Sequence, residues 1–155
     1  MRPLLMVLLL LGSLAAVPAS DAATGRVLKV LPLFLDREGR DATTPSLYDR
    51  DAYQVQLRAH PEQRSAIRVD VLWKASQAGD AKLKLRVELC GVGTNSLPHQ
   101  ITLDQEVTPR FFRRWTSLTL GGGDYKNFGD VTAWRVTLWA GDQMLGEQKS
   151  FLWQT

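Results

Sequence analysis

The chain has 155 residues, 45% of them hydrophobic, and its 19 basic and 16 acidic residues give a formal net charge of +3. This is a single-domain length, and so small a charge argues against an obligate nucleic-acid partner. Cys90 is the one cysteine, which excludes a disulfide framework within the chain. We expect its thiol to be free or to pair with another molecule.

The N-terminus has the pattern of a secretory signal peptide. Arg2 precedes an apolar run from Leu4 to Leu11, and small residues surround Ala19 and Ala22. The pattern predicts cleavage after Ala19, or as late as residue 22. The run is shorter than the roughly 20 apolar residues that span a bilayer. We therefore expect a signal peptide over 1–19, a single domain over 20–155 with no membrane anchor, and a periplasmic or extracellular location.

Two segments alternate cleanly between apolar and polar residues, as half-buried strands do. They are Ile67–Trp73 and Leu83–Leu89. Further β-rich runs are separated by Gly- and Asp-rich turn signals, among them 121–124 and a hairpin turn at 140–143. These runs are Val27–Leu35, Gln100–Val107, Phe112–Leu120, Val131–Ala140 and Met144–Trp153. The spacing predicts an all-β, two-sheet antiparallel sandwich of the immunoglobulin-like class with about seven strands.

The segment 46–59 is ambiguous. Ser46 followed by Asp49 is typical of a helix N-cap with an acidic residue three positions on. Tyr53, Val55 and Leu57 instead alternate as a strand does. The alternation weighs slightly more, so an extended segment is preferred and a short helix stays open.

The chain resembles small secreted bacterial proteins of unassigned activity that have an immunoglobulin-like or fibronectin-III-like β-sandwich. The resemblance is carried by strand and packing patterns in Pro45–Gln54, Arg68–Lys74, Arg114–Leu118 and Ala133–Trp139. It implies fold and secretion only, because fold does not imply function. The chain departs from antibody-type domains, since it lacks the paired cysteines that join the two sheets.

Five polar residues of the ambiguous segment lie within six consecutive positions. They are Tyr48, Asp49, Arg50, Asp51 and Tyr53. Such a cluster could hold a cation or a polar ligand. The simpler interpretation is that Arg50 pairs with a neighbour while one tyrosine packs inward and hydrogen-bonds through its hydroxyl. In a strand, the two aspartates would point to the same side.

A second candidate is a run of arginines interleaved with aromatics, which can stack on sugars and hold anionic groups. With two tryptophans that do not fit the apolar faces, it gives a candidate binding surface of Arg110, Arg113, Arg114, Trp115, Trp139 and Trp153. Trp73 and Trp134 are expected in the core. Trp139 and Trp153 could form an aromatic platform beside Tyr125 or Phe128. For the arginine–aromatic run, the alternative is that the aromatics turn inward and the arginines cover them. For Trp139 and Trp153, it is that both are half-covered sheet residues.

The sequence carries no pattern that predicts catalysis, a metal site or a cofactor. His60 and His99 lie beside prolines in predicted turns, and Cys90 has no local partner. We therefore expect a non-catalytic module that mediates protein–protein interaction through a sheet face or exposed edge strand. The alternative is a polysaccharide-binding module that uses the arginine–aromatic patch. A small hydrolase or redox protein using Cys90, with His99 nearby, is the remote alternative.

Overall fold

The computed structural model describes residues 23–76, 82–93, 97–108 and 112–154, and the predicted signal peptide lies outside them. Seven strands form two antiparallel sheets, as predicted. The strands are β1 (Thr24–Asp36), β2 (Arg64–Ser76), β3 (Leu83–Val92), β4 (Pro98–Val107), β5 (Arg114–Gly121), β6 (Asp130–Ala140) and β7 (Gln143–Lys149). Two helices accompany them, α1 (Leu47–Ala59) and α2 (Gly122–Phe128). Neither described helix is long and apolar enough to cross a membrane.

The strand order is that of an immunoglobulin-like sandwich with its fourth strand moved. One sheet has the order β1-β2-β5 and the other β4-β3-β6-β7. In immunoglobulin constant domains the first, second, fourth and fifth strands share a sheet. Here β4 instead pairs with β3 throughout its length, from Leu83 opposite Val107 to Val92 opposite Pro98. This leaves β5 at the free edge of the smaller sheet.

The core lies between the sheets and is built from the alternating residues of β2, β3 and β6. The inward residues of β3, namely Leu83, Leu85, Val87 and Leu89, are fully buried. Trp73 is buried as predicted, and its indole Nε1 donates to Thr116 Oγ1 at 2.8 Å. Trp134 is partly buried against the same core. Burying this much apolar surface is the main force that holds the sheets together.

The preference for an extended segment over 46–59 is wrong, because this segment contains α1. Ser46 caps the helix, its hydroxyl accepting a hydrogen bond from the backbone N–H of Asp49. The buried residues of α1 are Gln54 and Leu57, three apart and so on one helical face. The helix packs against β1. Leu33 and Leu35, on the face of β1 away from the core, are buried there. Burial of the helical face that carries Gln54 and Leu57 outweighed the alternation of Tyr53, Val55 and Leu57.

Several boundaries also differ from expectation. The residues 121–124, predicted as a turn, instead lead into α2, whose inward residues Tyr125 and Phe128 are three apart and buried. The strand predicted to reach Trp153 ends at Lys149, and β5 begins at Arg114 rather than Phe112. The β6–β7 hairpin is confirmed, with Gly141 in its turn at a φ of 56°, a conformation that favours glycine.

Candidate binding face on the three-stranded sheet

Cross-strand register gathers basic and aromatic residues on the outer face of the smaller sheet, at the end away from α1. They come from the start of β1, the end of β2 and the entry into β5. We call this the cationic–aromatic face, and its members are Arg26, Lys29, Lys74, Phe112, Arg113 and Trp115.

The register explains why these side chains lie together. Leu72 lies opposite Lys29 on one side and Trp115 on the other, and Lys74 lies opposite Arg26. Residues opposite each other in adjacent antiparallel strands point to the same side of the sheet. Trp73, between Leu72 and Lys74, points into the core, so its neighbours point outward. In β1, a bulge between Val27 and Lys29 adds one residue, so Val27 points inward with Trp73 while Lys29 points outward with Leu72.

The face is open to solvent. Trp115 is 50% exposed and Phe112 is 80% exposed, and the four basic residues are exposed. Lys74, Phe112 and Arg113, with Leu28, line a shallow depression at its centre. A ligand can therefore reach both the indole and the charges without any rearrangement of the sheet.

No carboxylate among the described residues compensates the positive charge of the face. None of Arg26, Lys29, Lys74 and Arg113 forms a salt bridge with a carboxylate in the described part of the chain. Farther along the same sheet face, near α1, Arg68 contacts Asp70 at 2.9 Å and Asp41 at 3.1 Å. The field of the face is thus concentrated at the Trp115 end, where it attracts anions.

The structure places two of the predicted surface residues on this face, Arg113 and Trp115. Arg110 lies outside the described residues. Arg114 is opposite Trp73, so it belongs to the inward row at the rim of the sandwich. Sequence reasoning missed Arg26, Lys29 and Lys74. The alternation through Leu72 and Lys74 could have indicated Lys74, whereas the two β1 residues needed the register.

The other two predicted residues do not join the cationic–aromatic face. Trp139 is in β6 of the larger sheet, half-buried, with its Nε1 donating to Thr137 Oγ1 at 2.8 Å. Trp153 is half-buried in the turn after β7. The aromatic platform that they could have formed beside Tyr125 or Phe128 is absent, because both of those side chains are buried in the core cluster.

The outer face of the larger sheet is charged, but its charges pair with one another. Arg86 makes a bidentate contact to Asp104 at 2.8 and 2.9 Å. Arg135 lies between Glu88 at 3.6 Å and Glu147 at 3.4 Å. A charged ligand would have to compete with these pairs, so this face is a poorer site than the cationic–aromatic face.

The predicted polar cluster is divided by α1. Asp49 and Asp51 are two apart on a helix and therefore point in different directions, so the expected carboxylate pair does not form. Tyr48 is 82% exposed, and Arg50 contacts Asp51 at 3.6 Å. Among the described residues, no cluster of histidine, cysteine and acidic side chains could hold a metal ion.

Tyr53 confirms the simpler interpretation of the cluster. Its hydroxyl donates to Asp36 Oδ2 at 2.7 Å, and Asp36 also accepts from the backbone N–H and the guanidinium Nε of Arg40. Burial raises the pKa of Asp36, but these hydrogen bonds outweigh it and bring the pKa down to about 2. The network fastens α1 and its preceding loop to the end of β1, which is a structural role.

Arg64 joins four elements at the opposite end of α1. Its guanidinium donates to the carbonyls of Leu57 and Arg58 and to Asp130 Oδ1, the last at 2.8 Å. It also stacks over the ring of Phe34 at 4.1 Å from the centroid. Three of its five N–H groups are therefore used within the fold, so Arg64 has a structural role beside the shallow depression that Tyr125 and Asp130 line.

Cys90 lies on the outer face of β3, as the alternation predicted, and it is partly buried. It lies opposite Gln100, whereas His99 lies opposite Gly91 and therefore points to the other face. Burial, together with nearby Glu88, raises the pKa of the thiol. This is opposite to the shift that activates a cysteine nucleophile.

Comparison with known proteins adds no relative: no family model, no curated protein and no solved structure matches the chain.

Proposed function

We propose that the protein is a secreted, non-catalytic β-sandwich module that binds an acidic polysaccharide of the cell envelope or extracellular space through the cationic–aromatic face. The sequence raised two binding hypotheses, a protein partner and a polysaccharide. At the cationic–aromatic face, the geometry favours the polysaccharide. The observation that carries the proposal is a half-exposed indole, Trp115, on the same sheet face as four exposed cations that form no salt bridge with a described carboxylate.

Each part of the face suits a part of such a ligand. The flat surface of the Trp115 indole can stack against the C–H face of a sugar ring. The guanidinium of Arg113 can pair bidentately with a carboxylate, sulfate or phosphate, and the lysines supply point charges around it. Exposed ion pairs contribute only about 0.2–1 kcal/mol each. The affinity for one short segment is therefore modest, and repeated segments along a polymer increase it by avidity.

The first experiment measures binding to alginate, a uronate polymer, by isothermal titration calorimetry with neutral dextran as a comparison. The variant Lys29→Ala/Lys74→Ala removes two cations from the face. Its matched control, Lys126→Ala/Lys149→Ala, removes two exposed cations elsewhere and gives the same net charge. We expect the first variant to bind alginate about tenfold more weakly and the control to bind as the wild type does.

Trp115→Ala tests the aromatic part of the site. We expect it to weaken alginate binding while the far-ultraviolet circular dichroism stays unchanged, because half of the side chain is already exposed. Binding should also weaken with salt, since exposed charges are screened over about 8 Å at physiological ionic strength. Equal loss in the two double variants, or equal binding of dextran and alginate, would contradict the proposal.

Location is tested separately from binding. The full chain with a C-terminal tag is expressed in a bacterial host, and the periplasmic and medium fractions are analysed by intact mass. We expect a chain that begins after Ala19 or Ala22. A full-length chain confined to the cytoplasm would overturn secretion and leave the binding measurements standing.

A further inference from the structure

The two sheets leave four strand edges, and three of them are protected. At the start of β1, Gln148 of β7 donates through Nε2 to the carbonyl of Leu28 at 3.2 Å. The same contact covers the facing edge of β7. Farther along β1, the side-chain amide of Gln54 occupies the backbone groups of Phe34. The edge strand β4 begins at Pro98 and carries Asp104 and Glu106, features that discourage strand pairing.

The fourth edge, that of β5, has none of these protections from the described residues. From Trp115 to Leu120 it contains no charged residue and no proline. Its pairing with β2 runs without a bulge from Gly121 to Arg114. Among the described strands, β5 pairs only with β2, so the backbone groups on its other side form no hydrogen bonds with a described strand. An edge of this kind is a template for an added strand.

The surroundings of β5 also suit an added strand. Its inward residues Leu118 and Leu120 are buried, so an inward side chain of the new strand would extend the same core. In the neighbouring edge strand of the other sheet, Ile101 and Leu103 pack on the core but remain only partly buried. An added apolar side chain would cover them further, and burial of apolar area is favourable at about 25 cal/mol per Å².

Charge indicates which strand would fit. Arg113 and Arg114 lie at the start of β5, neither forms a salt bridge with a described carboxylate, and residues 112–121 contain no acidic residue. A second copy that paired β5 with β5 would bring no carboxylate to these arginines. We propose that the free edge of β5 binds an extended, acidic segment of another protein by strand addition.

The test uses amide hydrogen exchange of the mature chain, followed residue by residue. The probe is an eight-residue peptide that alternates valine with glutamate and threonine, and the comparison peptide has lysine in place of glutamate. With the acidic peptide at roughly ten times its Kd, we expect amides within Trp115–Leu120 to exchange about tenfold more slowly. A version with proline at its centre should give no protection, because proline removes a ladder donor.

Paired variants separate this proposal from the polysaccharide site. Arg113→Ala/Arg114→Ala should reduce protection by the acidic peptide, whereas Lys29→Ala/Lys74→Ala should reduce alginate binding and leave peptide protection intact. Protection of β4 instead of β5, or equal protection by the acidic and lysine peptides, would overturn strand addition by an acidic segment. Protection of β5 that rises with protein concentration in the absence of peptide would also overturn it, by identifying a second copy as the occupant.

Discussion

The side-chain amide of Gln54 pairs with both backbone groups of Phe34. Gln54 Oε1 accepts from the Phe34 N–H at 2.8 Å, and Nε2 donates to the Phe34 carbonyl at 2.9 Å. Gln54 is 2% exposed, and the same Nε2 donates to the Asp41 carbonyl at 2.9 Å. A residue of α1 therefore acts as a one-residue neighbouring strand and protects the end of β1.

We expect Gln54→Ala to lower the free energy of unfolding by about 2–3 kcal/mol, because it leaves the partly buried backbone groups of Phe34 without their hydrogen-bond partners. Urea denaturation followed by tryptophan fluorescence measures the change. Gln56→Ala is the matched control, since Gln56 is exposed and makes one contact to Gln63, and it should cost less than about 0.5 kcal/mol. Similar losses in the two variants would contradict the role assigned to Gln54.

Asp36 should make stability depend on pH in the acid range. Its folded pKa is about 2, against an ordinary value of 3.8. A depressed pKa stabilises the fold above the unfolded value, and that contribution is lost as the pH falls through the folded value. Asp36→Asn should therefore be less stable than wild type near pH 7, and the difference should shrink between about pH 4 and pH 2. Urea midpoints across this range measure it, and a gap that stays constant would contradict the prediction.

Gly146 should be sensitive to any side chain because of how closely β7 approaches β1. A Cβ at Gly146 would lie 3.0 Å from Arg26 Cα and 3.1 Å from the Val27 nitrogen, both of them backbone atoms that cannot turn aside. We expect Gly146→Ala to cost about 1–3 kcal/mol. Gly123→Ala is the control, since a Cβ there meets nothing within 4 Å and alanine favours the helix. Thermal unfolding of both variants measures the difference in their loss of stability. Equal stability of the two variants would show that β7 can move away from β1 without cost.

Cys90 should react slowly as a nucleophile. Its raised pKa, caused by burial and by Glu88, keeps the thiol protonated near neutral pH. We expect iodoacetamide to alkylate the folded chain more slowly than the urea-unfolded chain, and Cys90→Ser to leave alginate and peptide binding unchanged. Mass spectrometry over time measures the first, and the binding assays measure the second. Faster alkylation of the folded state would reopen the redox hypothesis.

Local sequence patterns were sufficient to predict the strands that bury one face. In Ile67–Trp73 and Leu83–Leu89 the apolar period of two follows directly from the geometry of a half-buried strand, so local sequence is sufficient. The glycine turn at Gly141 was predictable for the same kind of reason, because its positive φ is a local requirement. The fold class followed from the spacing of these signals.

Helix α1 and the cationic–aromatic face depend instead on contacts between residues that are distant in sequence. Leu47–Ala59 forms a helix rather than an extended segment because the helical face with Gln54 and Leu57 is buried against β1. The cationic–aromatic face exists because register brings Lys29 and Trp115 to either side of Leu72, residues that lie more than 40 positions apart in the chain. Local sequence cannot specify which strands become neighbours, since pairing depends on how the whole core packs.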